Sequence, residues 1–372
     1  MYIYQNKDWP NFYWDKEKIL EKLSEVKLAQ GLLLGRMAAL GFNLQKEALL
    51  NTLTQDVLKS SEIEGEKLDT EQVRSSIARR LGIDIGGNIT IERNVEGFVE
   101  MMLDAANNYN QPLTKDRLFG WHASLFPTGY SGMYKIGVAK FRDDKKGPMQ
   151  VVSGPIGKEK VHYQAPDAVY LDNEITNFLN WFNQKDDLDG IIKAAIAHFR
   201  FVTLHPFDDG NGRIARTLTD MLLAKSENTN QRFYSMSAQI RNERKHYYDI
   251  LEKTQKSSLD ITDWLLWFLG CLLNAIENSK ETLASIFNKA LFWQQHSNKT
   301  LNERQTKVIN KMLDGFEGNL TSSKWAKLCN CSQDSANRDI FDLIDKNMLI
   351  KLGTARSTHY ILNIDNNTLI AE

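Results

Sequence analysis

Apolar residues recur at every third and fourth position through most of the chain, the period of a helix with one buried face. From Asp15 to about Leu40 and from about Lys46 to Ile63 this predicts an α-helical N-terminal region, with Leu49, Leu50, Leu53, Val57 and Leu58 on one stripe. The pattern returns from Ile91 to Asn107, Thr114 to Leu125, Asp167 to Phe182 and Ile191 to Leu204. It continues from Ile214 to Ala224, Asn242 to Lys253 and Ile261 to Ile276. Between Gly129 and Pro166 it lapses, and Met149–Ser153 and Val161–Tyr163, flanking Gly154-Pro155-Ile156-Gly157, predict a β-hairpin. The edges of such a hairpin are open to an added strand.

A break at His296-Ser297-Asn298-Lys299 precedes helices expected at Glu303–Leu313, Thr321–Leu328 and Gln333–Lys346. Strands Met348–Leu352 and Thr358–Leu362 follow, around Gly353-Thr354-Ala355-Arg356. The fold class is therefore mainly α, in three parts. Residues 1–88 form an N-terminal helical region closed by Gly86-Gly87-Asn88, 89–290 a helical core carrying the hairpin, and 298–372 a winged-helix-like domain. In a winged helix the third helix enters a DNA groove. Here it carries Asp334, Asp339, Asp342 and Asp345 against Arg338 and Lys346, a balance that repels phosphates, so a protein partner is expected and DNA is not.

Composition narrows the class without choosing a function. Over 372 residues, 42% hydrophobic and 25% charged, the balance is that of a soluble globular protein, and a net charge of -1 provides no global field for nucleic acid or acidic lipid. Three cysteines, Cys271, Cys329 and Cys331, are an odd number, which points to a reduced, cytoplasmic protein. The N-terminus lacks the basic and apolar regions of a signal peptide, and the apolar run Trp264–Ile276 is too short to cross a bilayer. Trp9, Phe12, Tyr13 and Trp14 read as a packing anchor for the N-terminal arm.

Chemistry concentrates in His205-Pro206-Phe207-Asp208-Asp209-Gly210-Asn211-Gly212-Arg213-Ile214-Ala215-Arg216, read as a loop between two helices. An imidazole at His205 can accept a proton at neutral pH. Asp209 is a hard oxygen ligand suited to Mg²⁺ beside phosphates. Gly210 and Gly212 let backbone N–H groups converge on an anion at a helix N-terminus, and Arg213 and Arg216 add planar forks. The run holds no covalent nucleophile, so its parts suit direct attack of an external hydroxyl on a nucleotide phosphate. The chain has no GxxxxGK[ST] loop, so a nucleotide must be held by another device. Of the other histidines, His122 and His162 lie where they could border this site. Upstream, Ser60 and Glu64 share a helix face at i and i+4, and Gly65 can cap that helix.

The run HPFDDGNGRIAR resembles the signature of the Fic family, HPFx[D/E]GNGRxxR, at every fixed position, and the similarity is read from about Ile91 to Ile276. The resemblance implies a Fic helical core whose hairpin is a target-docking flap. It also implies a protein adenylyltransferase that moves AMP from ATP to a Ser, Thr or Tyr hydroxyl of a target protein docked on the 151–163 hairpin. By position, His205 would deprotonate the hydroxyl and Asp209 would hold Mg²⁺. Gly210, Asn211, Gly212 and Arg213 would bind the α- and β-phosphates and Arg216 the γ-phosphate. Doc-type kinases place lysine where this chain has Gly212, and phosphocholine-transferring relatives replace the glycine matching Gly210, so adenylylation is the expected reaction.

Ser60, Glu64 and Gly65 are similar to the family's inhibitory motif [S/T]xxxE[G/N], which implies that Glu64 pairs with Arg216 and blocks ATP. Tyr248 would wall the base pocket, with Gln255 where relatives often carry an adenine-binding asparagine. Two alternatives stay open: a deadenylylase using Glu64, and a nucleotide-sensing DNA-binding regulator. A homo-oligomer is open as well.

Overall fold

The computed structural model describes residues 1–84, 86, 89–155 and 157–364. Gly87 and Asn88 of the expected linker, Ile156 of the hairpin tip and the end of the 298–372 segment lie outside the described residues. The chain forms two compact units, one of Met1–Ala39 with Gln45–Ser279, the other of Leu40–Leu44 with the chain from Lys280.

The first unit begins with α1 (Lys16–Ala38), whose cap Asp15 accepts from the Lys18 N–H, and α2 (Phe42–Ile63). Next comes a helix that the periodicity misses, α3 (Thr70–Leu81), capped by Asp69 and ended by Gly82 in the left-handed region. Its buried face holds two large apolar residues, Val73 and Ile77, beside Ser75, Ser76 and Ala78, so the apolar signal is weak. Then follow α4 (Arg93–Asn107) and α5 (Lys115–Leu125). Their backbones approach so closely that a Cβ at Gly97 would lie 1.9 Å from the Ser124 carbonyl oxygen, so only glycine fits there.

Two small antiparallel pairs fill the aperiodic stretch. Strands β1 (Tyr130–Ser131) and β2 (Tyr134–Lys135) form one. Strands β3 (Gln150–Ser153) and β4 (Lys160–Gln164) form the expected hairpin, with Val151 opposite Tyr163 and a register shift before Val152. Buried Tyr163 donates its hydroxyl to the Thr203 carbonyl at 2.8 Å and so ties the hairpin to the core.

The helices α6 (Leu171–Asn183), α7 (Gly190–Leu204) and α8 (Asn211–Glu227) follow. Every residue of α7 from Ile191 to Leu204 is buried, so it is the central helix, and α8 packs along it. The structure starts α8 at Asn211 rather than Ile214: its first turn is polar because it faces the site, so an apolar period cannot reveal it. The expected helix at Asn242–Lys253 is α10 (Arg244–Gln255), and α9 (Met236–Asn242), which the periodicity misses, precedes it. The apolar run at Trp264 belongs to a longer helix, α11 (Thr262–Gln295), whose buried positions continue at Leu283, Ile286 and Phe292. No helix among the described residues is long and apolar enough to cross a membrane. The N-terminal arm is anchored through Trp9, which donates to Glu174, and Phe12, which packs edge-on against Phe199. Tyr13 joins the core through its backbone, donating to the Leu259 carbonyl and accepting from the Ile261 N–H.

The second unit holds α12 (Glu303–Leu313), α13 (Ser322–Cys329), α14 (Gln333–Asp345) and the antiparallel pair β5 (Leu349–Leu352) and β6 (His359–Leu362). Its core gathers Val308, Ile309, Trp325, Ile340, Leu343 and Met348. Within α14, Asp339 is bound by Arg304 and Asn302, and Asp342 by Lys346 and Gln305. Asp339 is buried, Asp342 is partly exposed and paired with Lys346, and Asp334 and Asp345 are exposed.

Candidate active site

His205 ends α7 in the left-handed region, with φ 48° and ψ 57°. For a residue other than glycine this conformation costs about 1–3 kcal/mol and must be held by its surroundings. Buried Arg142 holds it. Its Nε donates to the His205 carbonyl at 2.8 Å and its backbone N–H to the Pro206 carbonyl at 2.9 Å. The His205 ring faces the Val202 carbonyl through Nδ1 at 3.2 Å. A carbonyl only accepts, so Nδ1 carries the proton and Nε2 is left as the acceptor, the tautomer a general base requires. Burial holds the imidazole below its ordinary pKa, which keeps it neutral.

After His205, the loop is clamped from within. Asn211 accepts the Phe207 N–H at 2.9 Å through Oδ1 and donates Nδ2 to the Phe207 carbonyl at 2.8 Å. The Asn211 side chain is thus engaged in shaping the loop, and only its backbone N–H is available to an anion. Fully buried Phe207 stacks on His122 at 4.2 Å, and His122 meets the Asp209 carbonyl through Nε2 at 3.2 Å. Burial brings the His122 pKa down to about 4, so this ring is a neutral support for the loop. Gly210, at φ +83°, brings the chain against Phe126, where a Cβ would stand 2.9 Å from the ring. The N–H groups of Asn211, Gly212 and Arg213 open α8, where a helix has no carbonyls behind them to receive them.

Both signature arginines are buried and each meets a carboxylate. Arg216 donates Nε to the Ser60 hydroxyl at 2.8 Å and Nη2 to the Ser60 carbonyl at 2.9 Å and to Glu64 Oε1 at 2.8 Å. Arg213 lies over the Phe126 ring at 4.9 Å and gives Nη1 to Glu66 Oε2 at 2.8 Å. Arg216 Nη1 and Arg213 Nε are shut from solvent with no hydrogen-bond partner among the described residues, two donors suited to an anion. A Cβ at Gly212 would stand 2.2 Å from Glu64 Oε1, so a side chain there and Glu64 in this position exclude each other.

Further polar contacts hold α2 along this site. Asp56, two turns before Glu64, accepts from Arg232 at 3.0 Å, and Arg232 also pairs with Asp220 of α8 at 2.8 Å.

Asp209 is partly exposed, accepts from the Ser131 hydroxyl, and stands 3.7 Å from Arg213 Nη2. No group of three or more His, Cys, Asp or Glu that could hold a metal occurs among the described residues. A lone carboxylate beside an anion cradle fits Mg²⁺ arriving with phosphates, since that ion keeps several waters and takes one or two carboxylates.

A cavity of about 800 Å³ is lined by Glu64, His205, Gly212, Tyr247, Tyr248 and Gln255, among others. Tyr248 is half-buried under the Arg244 guanidinium, a geometry suited to a wall for an aromatic base. Tyr247 is buried with its hydroxyl 2.9 Å from His198 Nε2, and Gln255 donates to Thr203 Oγ1 at 3.3 Å. The structure thus gathers Ser60, Glu64, His205, Asp209, Gly210, Gly212, Arg213 and Arg216 around one helix terminus. It adds Glu66, Arg142 and Ser131, which sequence spacing does not reveal.

A histidine ends one helix, and a glycine turn opens the next with its first N–H groups unreceived. Residues 112–223 match the Fic/DOC family, so the chain carries a Fic/DOC family domain, and residues 2–83 match a domain of unknown function, DUF4172. The chain is similar to the Protein adenylyltransferase Fic of Aedes aegypti, 25% identical over 61% of this chain and 41% of that protein. It is also similar to the Uridine 5'-monophosphate transferase of Xanthomonas campestris, 33% identical over 31% of this chain and 21% of that protein. The chain therefore spans less than half the length of either relative. In fold it matches a Fic family protein from Desulfovibrio desulfuricans with a TM-score of 0.56 at 19% identity, covering 94% of this chain and 97% of that one.

Proposed function

We propose that the protein transfers AMP from ATP to a Ser, Thr or Tyr hydroxyl of a target protein, and that Glu64 holds it in a blocked state. The observation that carries this reading is the placement of His205, its Nδ1 against the Val202 carbonyl, in one cavity with Gly212 and with Glu64, which clasps Arg216. A target segment pairs with the open edge of the β3–β4 hairpin. His205 Nε2 takes the proton of its hydroxyl, whose oxygen attacks the α-phosphorus. The new O–P bond forms as the bond to the departing pyrophosphate breaks. The N–H groups of Gly212 and Arg213 and the two guanidinium groups stabilise the phosphate charge. Asp209 would hold Mg²⁺, whose charge offsets that of the departing phosphates. Glu64 blocks this because it occupies the arginine and the space above Gly212 that the terminal phosphates need.

Isotope position tests the reaction class. Incubated with cell lysate and Mg²⁺, the Glu64→Gly variant is expected to add label from α-³²P-ATP to protein above that in lysate alone, and none from γ-³²P-ATP above that background. Label from the γ-position alone would mean phosphoryl transfer. Because one relative is named for UMP, α-³²P-UTP is run in parallel, and preferential incorporation from it would overturn the choice of adenine.

A second reading, AMP removal with Glu64 positioning the attacking water, is favoured by one observation: Glu64 and His205 line the same cavity.

Glu66 acts with Glu64 but more weakly, because its side chain is 40% exposed while that of Arg213 is 7% exposed. Glu66→Ala is expected to tighten ATP binding about fivefold, corresponding to roughly 1 kcal/mol. Isothermal titration calorimetry would show it, and unchanged affinity would remove Glu66 from the block.

A further inference from the structure

The β1–β2 hairpin stands beside the signature loop and takes no part in the transfer described above. It is fastened to that loop, and to the histidine that supports it, at three points. The Ser131 hydroxyl donates to Asp209, the Gly137 N–H to Asp208 Oδ2 at 2.8 Å and the Ala139 N–H to His122 Nδ1 at 3.2 Å. Asp208 lines the cavity that contains His205. The turn is two residues long, and Gly132 takes its first position at φ 55°, where such hairpins favour glycine. Pinned at its base, the hairpin carries apolar side chains into solvent. Met133 is 91% exposed, more than any other large apolar side chain among the described residues, and Tyr134 is 73% exposed. Tyr134 is the cross-strand partner of Ser131, so its ring leaves from the face of the hairpin that meets Asp209. Apolar residues scattered singly over a surface are ordinary, but Tyr130, Met133 and Tyr134 are gathered on one turn.

We propose that the tip of the β1–β2 hairpin docks the target protein through an apolar patch next to the modified hydroxyl, with Met133 and Tyr134 as the anchors, an inference that rests on the adenylyl-transfer reading above. A hydroxyl delivered to His205 brings the surface around it against Asp208 and Asp209, and the hairpin is bound to both. The two side chains suit such a contact, because a thioether adapts to irregular surfaces and a tyrosine ring supplies a large area at little cost in side-chain entropy. Area separates a target from a second copy of the chain. At about 150–250 Å² for a whole large side chain, Tyr130, Met133 and Tyr134 together expose roughly 400 Å². A stable interface takes about 800 Å² from each partner, so the tip alone is too small to hold a dimer. It matches part of a transient contact that the β3–β4 edge completes.

The test uses the full-length Glu64→Gly protein with Mg²⁺, α-³²P-ATP and cell lysate, and follows the initial rate of labelling of lysate proteins. Met133→Ser and Tyr134→Ser, introduced together in that background, are expected to lower the rate in dilute lysate about 30-fold, the size of an interface hot spot. Concentrating the lysate is expected to recover the rate, because the loss lies in docking and not in chemistry. Affinity for ATP with Mg²⁺, read by calorimetry, is expected to stay within about twofold, as for other surface substitutions. Tyr134→Phe alone is expected to keep the labelling rate, since the ring covers the same surface. Labelling of the double variant equal to that of its parent would overturn the proposal and leave the transfer reading standing. A parallel fall in ATP affinity would overturn it as well, by making the hairpin a support for Asp209. A dimer in sedimentation velocity that these substitutions dissociate would assign the tip to a second copy instead. No labelling by the Glu64→Gly protein itself would remove both readings.

Discussion

Replacing Glu64 with glycine is expected to make the protein both more active and less stable, and the two effects have one cause. Arg216 is 2% exposed and bound by Glu64 Oε1, Ser60 Oγ and the Ser60 carbonyl. A hydrogen bond to a charged group contributes about 1.5–3 kcal/mol, so freeing the guanidinium for the γ-phosphate is expected to raise AMP incorporation about 10- to 100-fold. The same change leaves a buried cation with only neutral partners. Losing one member of a buried pair costs about 3–5 kcal/mol, but Ser60 keeps two of the three contacts, so about 2 kcal/mol is expected. In a domain of this size that lowers Tm by roughly 5 °C. ATP with Mg²⁺ re-pairs the arginine, so the deficit should close at saturating nucleotide, where binding at a hundred times Kd contributes about 2.7 kcal/mol. Incorporation equal to that of the parent, or a Tm deficit indifferent to ATP, would separate Glu64 from Arg216 and end the blocked-state reading.

Much of this site was legible because its parts are close in sequence. His205 to Arg216 is one run, and the i, i+4 spacing of Ser60 and Glu64 places both on one helix face. Spacing could not reveal what meets that run from afar. Glu66 reaches Arg213 across 147 positions, and Arg142 reaches the His205 carbonyl across 63. A lone charged residue in a loop carries no signal until its partner is placed. Elements were legible in proportion to the apolar face they bury. α7 is buried on every side and reads at once, whereas α3 buries only Val73 and Ile77 beside two serines and an alanine and does not. The start of α8 is hidden for a related reason: its first turn is Asn211, Gly212 and Arg213, which carry no hydrophobic pattern. Gly212 shows how the two kinds of information join. The sequence says that the position lacks a side chain, and the structure says that Glu64 stands 2.2 Å from where one would begin.

Removing the imidazole is expected to have the largest effect on transfer to target proteins. His205→Ala should lower AMP incorporation about 10²- to 10⁴-fold, the usual contribution of a positioned base, and leave ATP affinity within about twofold, because the cradle lies on α8. The parent should show a rate that rises with pH as His205 loses its proton. Burial lowers its pKa, so the midpoint is expected below the ordinary value of about 6.5, with the plateau reached by neutral pH. The residual rate of the variant should lack that limb. Alanine also fits poorly at φ 48°, so part of any loss could come from a distorted loop. His205→Asn separates the two effects, because asparagine accepts the left-handed conformation but cannot take a proton at these pH values. Loss of transfer with intact ATP binding in both variants assigns the base to the imidazole. Transfer within about tenfold of the parent in the asparagine variant would show that His205 shapes the loop and that the proton leaves by another route.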